Sequence, residues 1–180
     1  MLKIDFTNAF NTLSRDAMQA VIREELPELY PFIESCYSGQ SYLRFGHYTL
    51  LSDEGSQQGD PLGPLLFCAT VMSIVKRVKS QCNIWYTDDG TLGGEIDTLL
   101  TDFEMLMAEG RKLGLVVNIA KCEVITDDEE VLQKIRSVAP SIKHVKRASA
   151  INAPWCTYWW KRERRRSASC QATGTASSVK

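Results

Sequence analysis

No run of about 20 apolar residues, the length a membrane-spanning helix needs, occurs anywhere in the chain. The best candidate, Leu65 to Val75, stops at Lys76-Arg77 and reads as a buried helix. No secretory leader is expected, because Lys3 and Asp5 interrupt the apolar start. Six cysteines are present, at 36, 68, 82, 122, 156 and 170, without a Cys-x-x-Cys pair. Several fall in predicted helix or strand, which favours reduced thiols and an intracellular setting, nuclear or cytoplasmic being left open. No internal repeat is visible. What remains, with 44% hydrophobic and 24% charged residues among 180, is enough for a single globular unit with its own core.

Basic residues are scarce over most of the chain. Residues 1–142 carry 12 Lys and Arg against 21 Asp and Glu, a net of −9, which is odd for a body that grips nucleic acid. Residues 143–180 carry 9 against 1, a net of +8. There Trp155, Trp159 and Trp160 precede Lys161-Arg162-Glu163-Arg164-Arg165-Arg166, and aromatics beside cations can bind nucleic acid by stacking and charge. The stretch from Ser167 to Lys180 is rich in Ser, Thr, Ala and Gly without apolar periodicity and reads as disordered.

Against that background stands Tyr86-Thr87-Asp88-Asp89-Gly90. Ile84, Trp85 and Tyr86 read as a strand and Thr91-Leu92 resume it, so Asp-Asp-Gly is expected to form a hairpin tip. A solvated turn alone would explain an isolated Asp-Asp-Gly. A third acid changes the balance: Leu2-Lys3-Ile4-Asp5-Phe6 alternates as a strand, with Ile4 and Phe6 on one face and Lys3 and Asp5 on the other. Two strands that deliver acids at their ends can form an oxygen-ligand site for divalent cations, Mg²⁺ being usual where phosphates complete the shell. Between the acids, Gly55 to Pro64 makes a Gly/Pro-rich loop that is expected to open a long helix near Pro61, running to about Lys79.

The other predicted elements are a helix from Arg15 to Glu25 capped by Ser14 and ended by Pro27, and a short helix to Tyr37. A hairpin of Ser41–Phe45 and His47–Leu51 turns around Gly46. An amphipathic helix spans about Ile96 to Leu113, closed by Gly114, and strands follow at Leu115–Asn118 and Glu123–Thr126. The run Asp127-Asp128-Glu129-Glu130 reads as a helix start, stabilised by the macrodipole, rather than as a metal site.

Four segments in this order resemble the palm of a reverse transcriptase, especially those of non-LTR (LINE-type) retrotransposons. Asp5-Phe6-Thr7-Asn8-Ala9-Phe10 is similar to motif A, and Gln58-Gly59-Asp60-Pro61-Leu62-Gly63-Pro64 to motif B. Tyr86-Thr87-Asp88-Asp89 is similar to the Tyr-x-Asp-Asp box, and Gly114 to Asn118 with Lys121-Cys122 to motif D. Retron and group II intron enzymes share these boxes. The resemblance covers about residues 1 to 126 and implies an α+β fold, a polymerase palm with an antiparallel sheet and helices packed on one face. It also implies that part of the fingers hairpin is present and that the fingers N-terminus and the thumb are missing.

The resemblance further implies an RNA-directed DNA polymerase in which a primer 3′-hydroxyl attacks the α-phosphate of a dNTP, with an RNA template and a DNA primer as partners. Two Mg²⁺ ions (or Mn²⁺) would be held by Asp5, Asp88 and the more peripheral Asp89, with the backbone carbonyl of Phe6 as a further contact. Phe10 would lie under the nucleotide sugar and exclude a 2′-hydroxyl, Gln58 and Gly59 would contact the nucleotide, Tyr86 the nucleic acid, and Lys121 the leaving pyrophosphate. The expected division is a palm-like domain over 1–142 and a basic tail over 143–180, disordered or frameshifted, since nothing after motif D resembles the family's primer-grip hairpin. The alternative is a truncated, catalytically inactive retroelement remnant.

Overall fold

A computed structural model describes residues 1–39, 41–57 and 59–146. The chain begins with β1 (Leu2–Ile4), followed by α1 (Ala9–Thr12), α2 (Arg15–Glu25) and α3 (Tyr30–Tyr37). A hairpin, β2 (Ser41–Phe45) and β3 (Tyr48–Ser52), leads to α4 (Gly63–Val75). Then come β4 (Cys82–Tyr86), β5 (Asp89–Gly93), α5 (Ile96–Lys112), β6 (Glu123–Ile125), α6 (Glu129–Val138) and β7 (Lys143–Val145). The main sheet has the order β4-β5-β1-β6-β7, and β2-β3 form a separate two-stranded sheet. This is the expected α+β palm.

Alternation along β1 decides which face is covered. Leu2 and Ile4 are buried, as are Leu92 beside Leu2 on β5 and Val124 beside it on β6. That face joins α2, α4, α5 and α6 in one core with Met18, Ile22, Phe67, Phe103 and Leu132. The opposite face carries Lys3, Thr91 and an exposed Ile84 in one row. Helix starts follow capping chemistry: Ser14 Oγ accepts the amide of Ala17 at 3.2 Å, and Asp128 Oδ1 accepts that of Glu130 at 2.9 Å. The acidic run is therefore a helix start, as its composition implies.

Several elements depart from expectation. The helix after the Gly/Pro loop begins at Gly63, so Pro64 rather than Pro61 occupies its first turn. Asp60 causes this: its Oδ1 accepts the Leu62 amide at 2.8 Å and its carbonyl the Gly63 amide at 3.0 Å, holding Pro61 and Leu62 in a turn. The same helix stops at Val75 because Asp102, buried on α5, draws the chain away. Its carboxylate accepts the amides of Lys79 and Ser80 and the Ser80 hydroxyl. Leu115–Asn118 is not a strand; it makes one isolated bridge, Val117 to Phe6, beside the bend that follows β1. β6 and β7 pair in parallel across α6, so the sheet is not antiparallel throughout. The expected division after residue 142 falls just before β7, and the sheet thus continues three residues past it. Residues 147–180, where most of the basic tail lies, are outside the described residues.

The β2-β3 hairpin stands apart from the core, with Leu43, Phe45, Tyr48 and Leu50 exposed on one of its faces. Among the described residues no helix is long and apolar enough to cross a membrane.

Replacing Asp102 by Ala strands the buried amide and hydroxyl of Ser80 and the part-buried amide of Lys79. It is expected to cost about 3 kcal/mol, read as a lowered urea midpoint with an unchanged slope.

Candidate functional site

The end of β1 and the start of β5 meet because the two strands run antiparallel in the register Leu2↔Leu92, Lys3↔Thr91, Ile4↔Gly90. One step beyond that ladder, Asp5 comes opposite Asp89. Asp5 itself is pinned by backbone: its carbonyl accepts the Asn118 amide at 2.8 Å, and the Thr7 amide donates to Val116 O at 2.8 Å. The acid side chain, on the face opposite Ile4 and Phe6, carries a buried Oδ1 with no hydrogen-bond donor. Lys121 Nζ stands 3.9 Å from that oxygen on a largely exposed side chain, so the turn after Val117 brings Lys121 to Asp5.

The acidic hairpin has a different tip from the one its letters suggest. Tyr86 pairs with Asp89 and Trp85 with Gly90, so the turn is Thr87-Asp88 and Gly90 lies within β5. Gly90 is needed for space: a Cβ there would come within 2.6 Å of the Trp85 ring. The strained residue is Thr87, at φ 53, where a β-branched side chain is uncommon. Its hydroxyl bonds the Tyr86 carbonyl at 2.7 Å and Asp88 Oδ1 at 2.8 Å, which orients that carboxylate. Asn8, at φ 48, is the other non-glycine residue in the left-handed region among the described residues. The two follow Asp5 and precede Asp88, so local backbone strain is concentrated beside the acids.

Phe10, on α1, is half-buried and stacks on Phe67 of α4 with ring centroids 4.2 Å apart. The next residue of α4, Cys68, feels the charge of Asp88: burial pushes its thiol up, and the carboxylate adds to the rise. One stretch of α4 therefore lies beside both the aromatic and the acidic tip. Burial likewise raises the Cys122 thiol, whose sulfur is 4.0 Å from the Asp5 carbonyl.

The Gly/Pro loop is stitched to α1. The Gly55 amide donates to Leu13 O at 2.8 Å and the Ser56 amide to Phe10 O at 3.0 Å. A Cβ on Gly55 would meet Phe10 O at 2.5 Å, so Gly55 is the glycine of close approach. Gly59 is exposed in open space and needs its glycine for φ 87. Gln58 lies outside the described residues. Two residues not singled out from sequence hold this loop. Arg15, buried, donates to Gly55 O at 2.9 Å and Ser52 O at 2.7 Å. Tyr37 donates to Asp60 and accepts the Gln57 amide at 3.2 Å. The signals available were Arg15 at the first position of an amphipathic helix and Tyr37 at the end of another, and neither is specific. A cavity of about 760 Å³ beside the loop is lined by Asn11, Ser41, Tyr42, Asp53, Glu54 and Gln57, and Asp5, Asp88 and Asp89 are not among its lining residues. Tyr86, at the tip, is 80% exposed.

The donor set suits a hard divalent cation: carboxylate oxygens from two chain segments, one of them buried without a donor. Among the described residues no group of three His, Cys, Asp or Glu side chains is placed to hold a metal, and the acids come from two arms, Asp5 after β1 and Thr87–Asp89 at the β4-β5 turn.

Burial and the Asp60 hydrogen bond raise the Tyr37 hydroxyl from its ordinary 10.0 to about 12. A raised folded-state value means that stability is complete below pH 10 and is lost as the hydroxyl ionises toward pH 12. Tyr37→Phe should remove that alkaline decline in thermal unfolding while leaving other pH dependence intact.

A family model described as reverse transcriptase (RNA-dependent DNA polymerase) matches residues 1–164. Among solved structures, the telomerase of Candida tropicalis in complex with a fragment of telomeric RNA is similar in fold, with a TM-score of 0.50 and 17% identity. The match covers 67% of this chain and 25% of that one, so this chain spans about a quarter of its length. No curated protein matches.

Proposed function

This chain belongs to the reverse transcriptase (RNA-dependent DNA polymerase) family, and on that premise we propose that it carries the catalytic palm of an RNA-directed DNA polymerase from a non-LTR retrotransposon, acting inside the cell. The observation that supports this most is the meeting of Asp5, with its donorless buried oxygen, and the Thr87-Asp88 tip at one end of the sheet. Asp5 and Asp88 would hold two Mg²⁺ ions, or Mn²⁺, with Asp89 and the Phe6 carbonyl at the margin. When bound, such ions neutralise charge on the phosphates and activate the attacking hydroxyl.

The remaining work falls to this chain's own side chains. The Phe67 stack stiffens the Phe10 ring, and a flat apolar face there leaves a 2′-hydroxyl without a partner, favouring dNTPs. The loop from Gly55 to Asp60, tied to Phe10 by Ser56, would place Gln58 and Gly59 against the nucleotide. Lys121, an exposed cation 3.9 Å from Asp5, can reach a phosphate and deliver a proton to the leaving group. Tyr86, exposed at the tip, offers a ring to the primer or the RNA template.

A second reading, a remnant that keeps the palm without polymerising, is favoured by the open arrangement of the acids. Primer extension on an RNA template separates the two. We expect Mg²⁺-dependent dNTP incorporation that Asp88→Asn lowers at least about a hundredfold, and relaxed rejection of rNTPs in Phe10→Ala. Absence of extension with both Mg²⁺ and Mn²⁺ would establish the remnant.

A further inference from the structure

Behind the acids lies a connected unit of residues, of which only the Phe6 carbonyl enters that chemistry. Trp85 on β4 lies in the same cross-strand row as Gly90 on β5 and Ile4 on β1. Lacking a side chain, Gly90 opens a gap in the middle of that row, and the indole lies across it; a Cβ would come 2.6 to 2.8 Å from three of its carbons. The ring extends over β5 to stack on Phe6, with centroids 6.0 Å apart and planes at 22°. Its Nε1 donates to Asn83 at 2.7 Å, and the Asn83 amide group donates to the Val75 carbonyl at the end of α4 at 3.2 Å.

Each end of this bridge touches a residue adjacent to an acid: Phe6 follows Asp5, and Gly90 follows Asp89. By strand alternation Asp5 and Asp89 fall on the opposite face of the sheet from the indole. A change in how far the indole sinks toward Gly90 therefore tilts the β4-β5 tip against the end of β1. We propose that Trp85 is a positioning residue that sets the separation between the Asp5 arm and the Thr87–Asp89 arm, with Gly90 as its seat and Phe6 as its stop. The inference concerns this chain's own carboxylates and rests on the reading that they hold divalent cations.

Two measurements on the full chain test it. In the metal-free protein, residual dipolar couplings of the backbone amides of Lys3 to Phe6 and of Thr87 to Gly90 report how the β4-β5 tip lies against the end of β1. Trp85→Ala and Gly90→Ala should each shift those couplings beyond the spread of the β6 amides, while Trp85→Phe, which keeps a ring over the glycine, restores them. Mn²⁺ titrated alone, followed by loss of the free-ion resonance signal, should bind about tenfold more weakly to Trp85→Ala and Gly90→Ala, as expected when support of a ligand is removed. Binding to Trp85→Phe should stay near wild type. Unmoved couplings in both Trp85→Ala and Gly90→Ala overturn the proposal. If the wild-type chain binds no Mn²⁺ but the couplings shift as stated, the cation reading fails and the positioning role stands. Should Trp85→Ala not fold, Gly90→Ala against Trp85→Phe decides the matter alone.

Discussion

Backbone pairing on both sides of β1 is the constraint from which the acidic end of the sheet follows. Three residues, Leu2 to Ile4, bond β5 on one edge and β6 on the other. Because β5 runs against β1, the residue leaving β1 meets the residue entering β5, and both are aspartates. On the other edge, the short ladder to Asn118 and Val116 bends the chain after Asp5 and brings Lys121 around to it. Asn8 and Thr87 in the left-handed region show that this convergence costs backbone strain, which the surrounding pairing sustains.

Two buried charged side chains maintain the rest of the frame. Arg15 and Asp102 have loop backbone as their principal partners: Arg15 binds carbonyls of the segment ahead of α4, and Asp102 binds amides of the segment after it. Polar groups at these loop ends would otherwise be desolvated without partners, and each charge supplies several hydrogen bonds from one side chain. α4 is thus clamped at both ends, which fixes Phe67 under Phe10 and Cys68 beside Asp88.

Much of the fold was legible in the letters. The Ser14-capped helix, the hairpin around Gly46 and the stripe Leu99, Phe103, Leu106 on α5 follow from capping, turn and periodicity rules that act over a few residues. The helix start at Asp128 is of the same kind. Departures arose where a side-chain turn or a distant partner overrode the periodic signal. Asp60 shifted the start of α4, Asp102 shifted its end, and the bend at Asp5 left Leu115–Asn118 with a single bridge. Gly90 is the sharpest case, since Asp-Gly is a strong turn pair. Here the glycine is spent on admitting an indole from the neighbouring strand, and the turn passes to Thr87-Asp88.

The order and identity of Asp5, Phe10, the Gln58-Gly59 loop, Asp88, Asp89 and Lys121 were enough, without coordinates, to identify the family and to mark the candidates for its chemistry. Chemistry of that kind is written in residue types and spacing. What the letters could not contain was the relation among those residues: that Asp5 retains a buried oxygen without a donor, that Phe10 is backed by Phe67, that the Gly55 loop hangs from α1, and that Trp85 spans β5 to reach Phe6. Each of these depends on strand register or on contacts between segments far apart in the chain, and such contacts are chosen only when the whole core closes.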